Sequence, residues 1–276
     1  MTMMRRPIPS SGETLPVIGC GTWSVFDVGP SVAEREPLGN VLQTLFEGGG
    51  SVIDSSPMYG RAEGVVGGVL DTIAAHERAF VATKVWTRGK SAGVDQMRRS
   101  ARLLSSPTID LMQVHNLLDW REHLATLRDW KREGLIRYLG VTHYTSSAYD
   151  ELEAVMRAES LDFVQLNYSL EERAAEKRLL PLAQERGMAV LVNRPFGGGG
   201  LIGSLRGRRL PDWAGECGWT SWAQLCLKFL LGHPAVTCVI PATGDVSHMK
   251  ENLLAGGGLL PDASLRARIA AAVQQR

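Results

Sequence analysis

Cysteine is scarce in this chain of 276 residues: there are four, Cys20, Cys217, Cys226 and Cys238, with no CxxC and no paired histidine spacing. That excludes a zinc site or a disulfide framework and leaves buried, reduced thiols in a cytoplasmic protein as the expectation. No metal is expected. Charge of one sign is also missing, since 30 Lys+Arg against 29 Asp+Glu give a formal net charge of +1. With no basic field to hold nucleic acid or an anionic membrane, the expected partners are small molecules. The oligomeric state is left open, with a monomer slightly favoured. No stretch of about 18 apolar residues runs uninterrupted, so no membrane span is expected. Arg5-Arg6 invites a twin-arginine export reading, but Pro7, Pro9, Ser10, Ser11, Gly12 and Glu13 follow in place of an apolar stretch.

What is present is a globular composition, 44% hydrophobic with 30 glycines, and a rhythm. Short apolar runs rich in β-branched residues recur at Val17–Cys20, Ser51–Asp54, Phe80–Lys84, Ile109–Val114, Ile136–Val141, Asp162–Leu166, Met188–Val192 and Val236–Ile240. Between them lie amphipathic stretches at helical spacing, such as Val41, Leu42, Leu45 and Phe46. Six of the seven start-to-start intervals fall at roughly 26–34 residues, without a linker or composition break. Eight even βα units over residues 1–276 favour an α/β fold of one domain, a closed (β/α)8 barrel, over an open doubly wound sheet. Arg5–Leu15 is expected to form a hairpin capping the N-terminal end of the barrel, and Asp262–Gln275 a closing helix. The last interval, roughly 48 residues, holds Gly197-Gly198-Gly199-Gly200 and implies a long loop before a helix near Thr220–Leu231.

A barrel builds its site from residues at the C-terminal ends of its strands. Here the runs end in Asp54, Lys84, His115, Thr142-His143, Gln165 with Asn167, and Asn193-Arg194. Any one of these suits a strand end meeting solvent; together they converge on one crevice. Tyr59 joins them from the turn Pro57-Met58-Tyr59-Gly60. A phenol titrates near 10 and is a poor acid at neutral pH, but the ammonium of Lys84 would lower that value, with Asp54 orienting the lysine. His115 would hydrogen-bond a carbonyl or the alkoxide formed from it. Hydride addition fits this set best. A Schiff-base lyase or isomerase using Lys84 is a further reading.

The residues that carry this chemistry also carry a resemblance. Leu15–Trp23, Ile53–Glu63 with Asp54-x4-Tyr59, Thr83-Lys84-Val85-Trp86, Asp110–His115, Gly140-Val141-Thr142, and Ile240-Pro241 followed by Glu251-Asn252 resemble the aldo-keto reductases over nearly the whole length. The resemblance implies a (β/α)8 barrel that binds NADP(H), with a weak preference over NAD(H), and reduces an aldehyde or ketone using Asp54, Tyr59, Lys84 and His115 as the catalytic tetrad. It implies cofactor contacts from Gly21, Thr22, Trp23, Asp54, Thr142, Gln165, Asn193, Pro195, Phe196, Gly197, Gly198, Thr243, His248, Glu251 and Asn252. Trp23, Trp86 and Asn116 would line the substrate pocket. No Rossmann fingerprint is present, and Gly19-Cys20-Gly21 reads as a tight turn beside the cofactor.

The departures from the family pattern matter. Thr142-His143 stands where the family usually has Ser-Asn, and Asn193 where it commonly has a ring stacking on the nicotinamide. Ala242 and His248 replace a Lys and an Arg that hold the 2′-phosphate, leaving Thr243 with Lys250 or His248 to contact it, and no carboxylate is expected at those positions to repel it. The chain stops soon after its last helix, which implies an open, poorly selective pocket. The alternative function is a regulatory subunit that binds NADPH and turns over slowly.

Overall fold

The computed structural model describes residues 2–274. The hairpin strands β1 (Arg5–Pro7) and β2 (Thr14–Pro16) pair antiparallel. The eight parallel strands follow: β3 (Cys20–Gly21), β4 (Val52–Asp54), β5 (Phe80–Val85), β6 (Ile109–His115), β7 (Ile136–His143), β8 (Phe163–Asn167), β9 (Ala189–Asn193) and β10 (Cys238–Val239). They run in sequential order, and the two outer strands meet through parallel bridges Ile18↔Val239 and Gly21↔Ala242. This closes the barrel. A Cβ on Gly21 would lie 2.8 Å from the Ile240 carbonyl oxygen, so the seam requires glycine there.

Helices α1 (Val32–Glu47), α2 (Ala62–Thr72), α3 (Lys90–Leu103), α4 (Trp120–Arg132), α5 (Tyr149–Ala158) and α6 (Leu179–Glu185) each follow one strand, from β3 to β8. The segment after β9 departs from expectation. Instead of an open loop it forms two short helices, α7 (Gly200–Leu205) and α8 (Asp212–Glu216), before α9 (Trp222–Leu231). Leu201, Leu205, Ala214 and Trp219 are buried there, and burying that apolar surface is what orders the segment. Helix α10 (Val246–Leu254) follows β10, and α11 (Ala263–Gln274) closes the described chain; Gln275 lies outside the described residues.

Strand residues alternate between two cores. One alternate set on each strand (Val52, Phe80 and Ala82, Leu111, Tyr138, Phe163, Ala189 and Leu191) packs with Ile8 and Leu15 of the hairpin into a cluster that fills the lower barrel. The same alternation carries each strand upward into Asp54, Lys84, Gln113 with His115, Thr142, Gln165 with Asn167, and Asn193. The interior is therefore apolar at the hairpin end and polar at the other. Arg6 fastens the hairpin by donating to the carbonyls of Leu231 at 2.6 Å and His233 at 3.0 Å. All four cysteines are free; Cys20, Cys226 and Cys238 are buried, whereas Cys217 is only half-buried. Burial pushes the Cys20 and Cys226 thiols up to about 12, so they stay protonated.

Candidate active site

Asp54 and Lys84 meet at the top of the barrel because β4 and β5 are hydrogen-bonded neighbours. Lys84 Nζ donates to Asp54 Oδ2 at 2.7 Å and to the Ser55 carbonyl at 2.6 Å. The other carboxylate oxygen, Asp54 Oδ1, accepts from Gln165 Nε2 at 2.8 Å and Gln113 Nε2 at 3.3 Å. Each charge is thus met by several partners, as a buried ion pair requires. Tyr59 is brought back over this pair by a turn in which its N–H donates to the Ser56 carbonyl at 3.0 Å. Its ring centroid lies 5.2 Å from Lys84 Nζ and 6.0 Å from the His115 ring, which it meets edge-on.

The electrostatics correct one expectation. Burial raises the Tyr59 phenol, and although the Lys84 charge opposes this, the net shift is upward. The expected lowering by lysine is outweighed because the ring is packed away from water. Burial also works against the Lys84 ammonium, but the charge of the Asp54 carboxylate and its hydrogen bond prevail and hold it above the ordinary amine range. For His115, burial and then the Lys84 charge depress the imidazole to about 2, so it is neutral at physiological pH.

A cavity of about 380 Å³ opens above these groups. Asp54, Tyr59 and His115 face it, as do Gly21, Thr22, Trp23, Thr142, Gln165, Asn193, Pro195, Phe196 and Gly198. Lys84, with no exposure, sits behind Asp54 rather than on the wall. Gly198 and Gly199 reach the wall with φ of +75° and +99°, a left-handed turn that glycine adopts without strain.

The barrel, its inward polar set and this cavity agree with comparison to known proteins. A model of the aldo/keto reductase family matches residues 17–270. The chain belongs to the aldo/keto reductase family. It is an oxidoreductase, and carbonyl reduction is its general chemistry. It is similar to the methylglyoxal reductase YeaE of Escherichia coli (strain K12), with 28% identity covering 91% of this chain and 89% of that protein. An NADH-specific methylglyoxal reductase of the same organism is 28% identical over 77% of this chain and 73% of its own. Among solved structures, an aldo/keto reductase from Klebsiella pneumoniae in complex with NADP and acetate superposes with a TM-score of 0.80 at 26% identity, covering 96% of this chain and 94% of the other.

In this aldo-keto reductase, the remaining sequence candidates spread out. Thr243, His248, Glu251 and Asn252 lie off the cavity wall, on β10's exit and α10. Trp23 is on the wall and 55% exposed; Trp86, 40% exposed, stands off it with its ring centroid 6.4 Å from His115. Asn116 (φ +53°) and Gly197 (φ +60°) turn the backbone beside the cavity without lining it. Asp245 caps α10, accepting from the N–H of Ser247 at 2.7 Å and of His248 at 3.1 Å, and so occupies the helix terminus an anion would seek.

Three residues escaped sequence reading. Gln113 lies two positions before His115, and strand alternation alone could have placed it inside. Tyr144 stands one residue past its strand on the cavity wall, where the guanidinium of Arg194, a strand-end residue already expected at the crevice, lies 5.7 Å from its ring centroid. Ser56 hides inside the Asp-x4-Tyr motif and contacts His115 at 2.9 Å.

Proposed function

We propose that this chain reduces a small aldehyde or ketone to the alcohol, using NADP(H) with a weak preference over NAD(H), and that Tyr59 is the proton donor. The reading is carried by the meeting of the Asp54–Lys84 pair, Tyr59 and His115 beneath one cavity. The residues present suit a nicotinamide: Asn193 Oδ1, on a residue of the cavity wall, is a buried acceptor with no hydrogen-bond partner among the described residues. It would take a carboxamide N–H, with Gln165 between Asn193 and Asp54. When bound, the reduced nicotinamide supplies a hydride, and with it two electrons, to the carbonyl carbon.

The chain's own residues handle the proton. Tyr59, kept protonated by its raised pKa, gives its hydroxyl proton to the carbonyl oxygen as negative charge grows there. Lys84 stabilises the tyrosinate left behind and Asp54 holds Lys84 charged. His115, neutral, donates a hydrogen bond to the same oxygen. Relatives named as methylglyoxal reductases make a small 2-oxoaldehyde the first substrate to try. Oxidation of NADPH and NADH, followed by absorbance with methylglyoxal and a panel of aldehydes, tests the proposal. Saturable turnover supports it. Tight cofactor binding with almost no turnover of any carbonyl would replace it with the regulatory-subunit reading.

A further inference from the structure

We propose that Ser56 is a positioning residue that holds His115 in the tautomer with its hydrogen on Nε2. The inference rests on the function proposed above for what that hydrogen does, but the tautomer itself follows from contacts alone. Ser56 is fully buried, so bulk solvent does not reach its hydroxyl. Its Oγ has two neighbours: the Met58 N–H, which can only donate, at 3.3 Å, and His115 Nδ1 at 2.9 Å. With one lone pair taken by Met58, the hydroxyl hydrogen needs an acceptor, and among the described residues Nδ1 is the one within reach. If Nδ1 carried the hydrogen instead, Ser56 would accept twice and its own hydrogen would be buried without a partner, an arrangement folded proteins avoid.

An Nδ1 that accepts forces the hydrogen onto Nε2, because burial and Lys84 keep the ring neutral. The ring lies on the cavity wall and no protein partner holds Nε2 among the described residues, so that donor is available to a ligand. The other tautomer would aim a lone pair at a carbonyl oxygen and repel it. Ser56 also accepts from the Tyr59 N–H through its carbonyl at 3.0 Å. One residue therefore indexes both the proton donor and the hydrogen-bond donor. Pro57, with no N–H and a restricted φ, favours the turn that lets it do so.

The tautomer is read by long-range proton–nitrogen correlation on protein carrying ¹⁵N-histidine, with His115 assigned through His115→Asn. The expected spectrum has a pyridine-like Nδ1 and a pyrrole-like Nε2. The Ser56→Ala variant should move both signals toward an exchanging mixture, whereas Ser56→Thr, which keeps a hydroxyl, should restore the parental pattern. In turnover, Ser56→Ala should lower kcat roughly tenfold with cofactor KM unchanged, and Ser56→Thr should recover most of it. A parental spectrum with the hydrogen on Nδ1 overturns the inference, and needs no variant that folds. So does a Ser56→Ala spectrum identical to the parent. A parental enzyme that shows the expected tautomer yet reduces no carbonyl refutes the proposed function and leaves the Ser56 assignment standing.

Discussion

Lys84 Nζ lies 2.7 Å from Asp54 Oδ2 with the lysine side chain wholly sealed from solvent and the aspartate nearly so. The pair is at once the electrostatic centre of the site and part of the barrel's interior packing. Removing either partner therefore strands a buried charge as well as altering chemistry.

Lys84→Met should abolish measurable reduction and destabilise the fold by about 3–5 kcal/mol, the usual cost of leaving a buried charge alone. The double variant Asp54→Asn/Lys84→Met should regain part of that stability without regaining activity. Melting curves and turnover, measured on all three proteins, separate the two effects. A folded and fully active Lys84→Met protein would remove the lysine from the mechanism.

Tyr59→Phe removes a single hydroxyl and keeps the packed ring. Turnover should fall roughly 100-fold or more, while cofactor affinity and melting temperature stay close to parental. Because the phenol is raised by burial, no loss of rate from tyrosine ionisation should occur below about pH 10. A rate that declines between pH 7 and 9 with the ionisation of Tyr59 contradicts this.

His115 contributes a pH dependence to stability whose sign is set by its depressed value. Folded, it resists protonation down to about 2, whereas in the unfolded chain it titrates near the ordinary 6.5. The unfolded state thus binds the extra proton below pH 6.5, and stability falls as pH drops through that range. His115→Asn should make the slope of unfolding free energy between about pH 6 and 4.5 shallower, by up to about 1.4 kcal/mol per pH unit. His143 and His233 are also lowered by burial and should keep part of the slope. Urea titrations across that interval measure it; an unchanged slope would show that His115 is protonated in the folded protein.

Asp245 should work against a 2′-phosphate at the start of α10, while Asn at the same position would still cap the helix. Asp245→Asn should strengthen NADPH binding by roughly two- to fivefold at low salt and leave NADH nearly unchanged. Titration of both cofactors by tryptophan fluorescence checks it. Equal gains for the two cofactors would place the effect somewhere other than the phosphate.

The barrel was legible in the chain because its signals are short-range. Eight β-branched runs at an even interval, and polar residues at the ends of those runs, need only the alternation of strand side chains to be interpreted. Asp54 ends a strand with Tyr59 in the turn that follows it, and Lys84 and His115 lie at the ends of neighbouring strands, so pattern brings these four residues to one crevice before any coordinate is known. Other features depend on closure and register. The contact between Ser56 and His115 joins residues 59 apart in sequence, and Gln165 reaches Asp54 across 111. The apolar contacts that order α7 and α8, and the burial that raises Tyr59 against the pull of Lys84, likewise arise only once the sheet has closed. Local pattern specifies which residues enter the barrel mouth; their partners and the charge each will carry depend on how tightly the closed sheet excludes water.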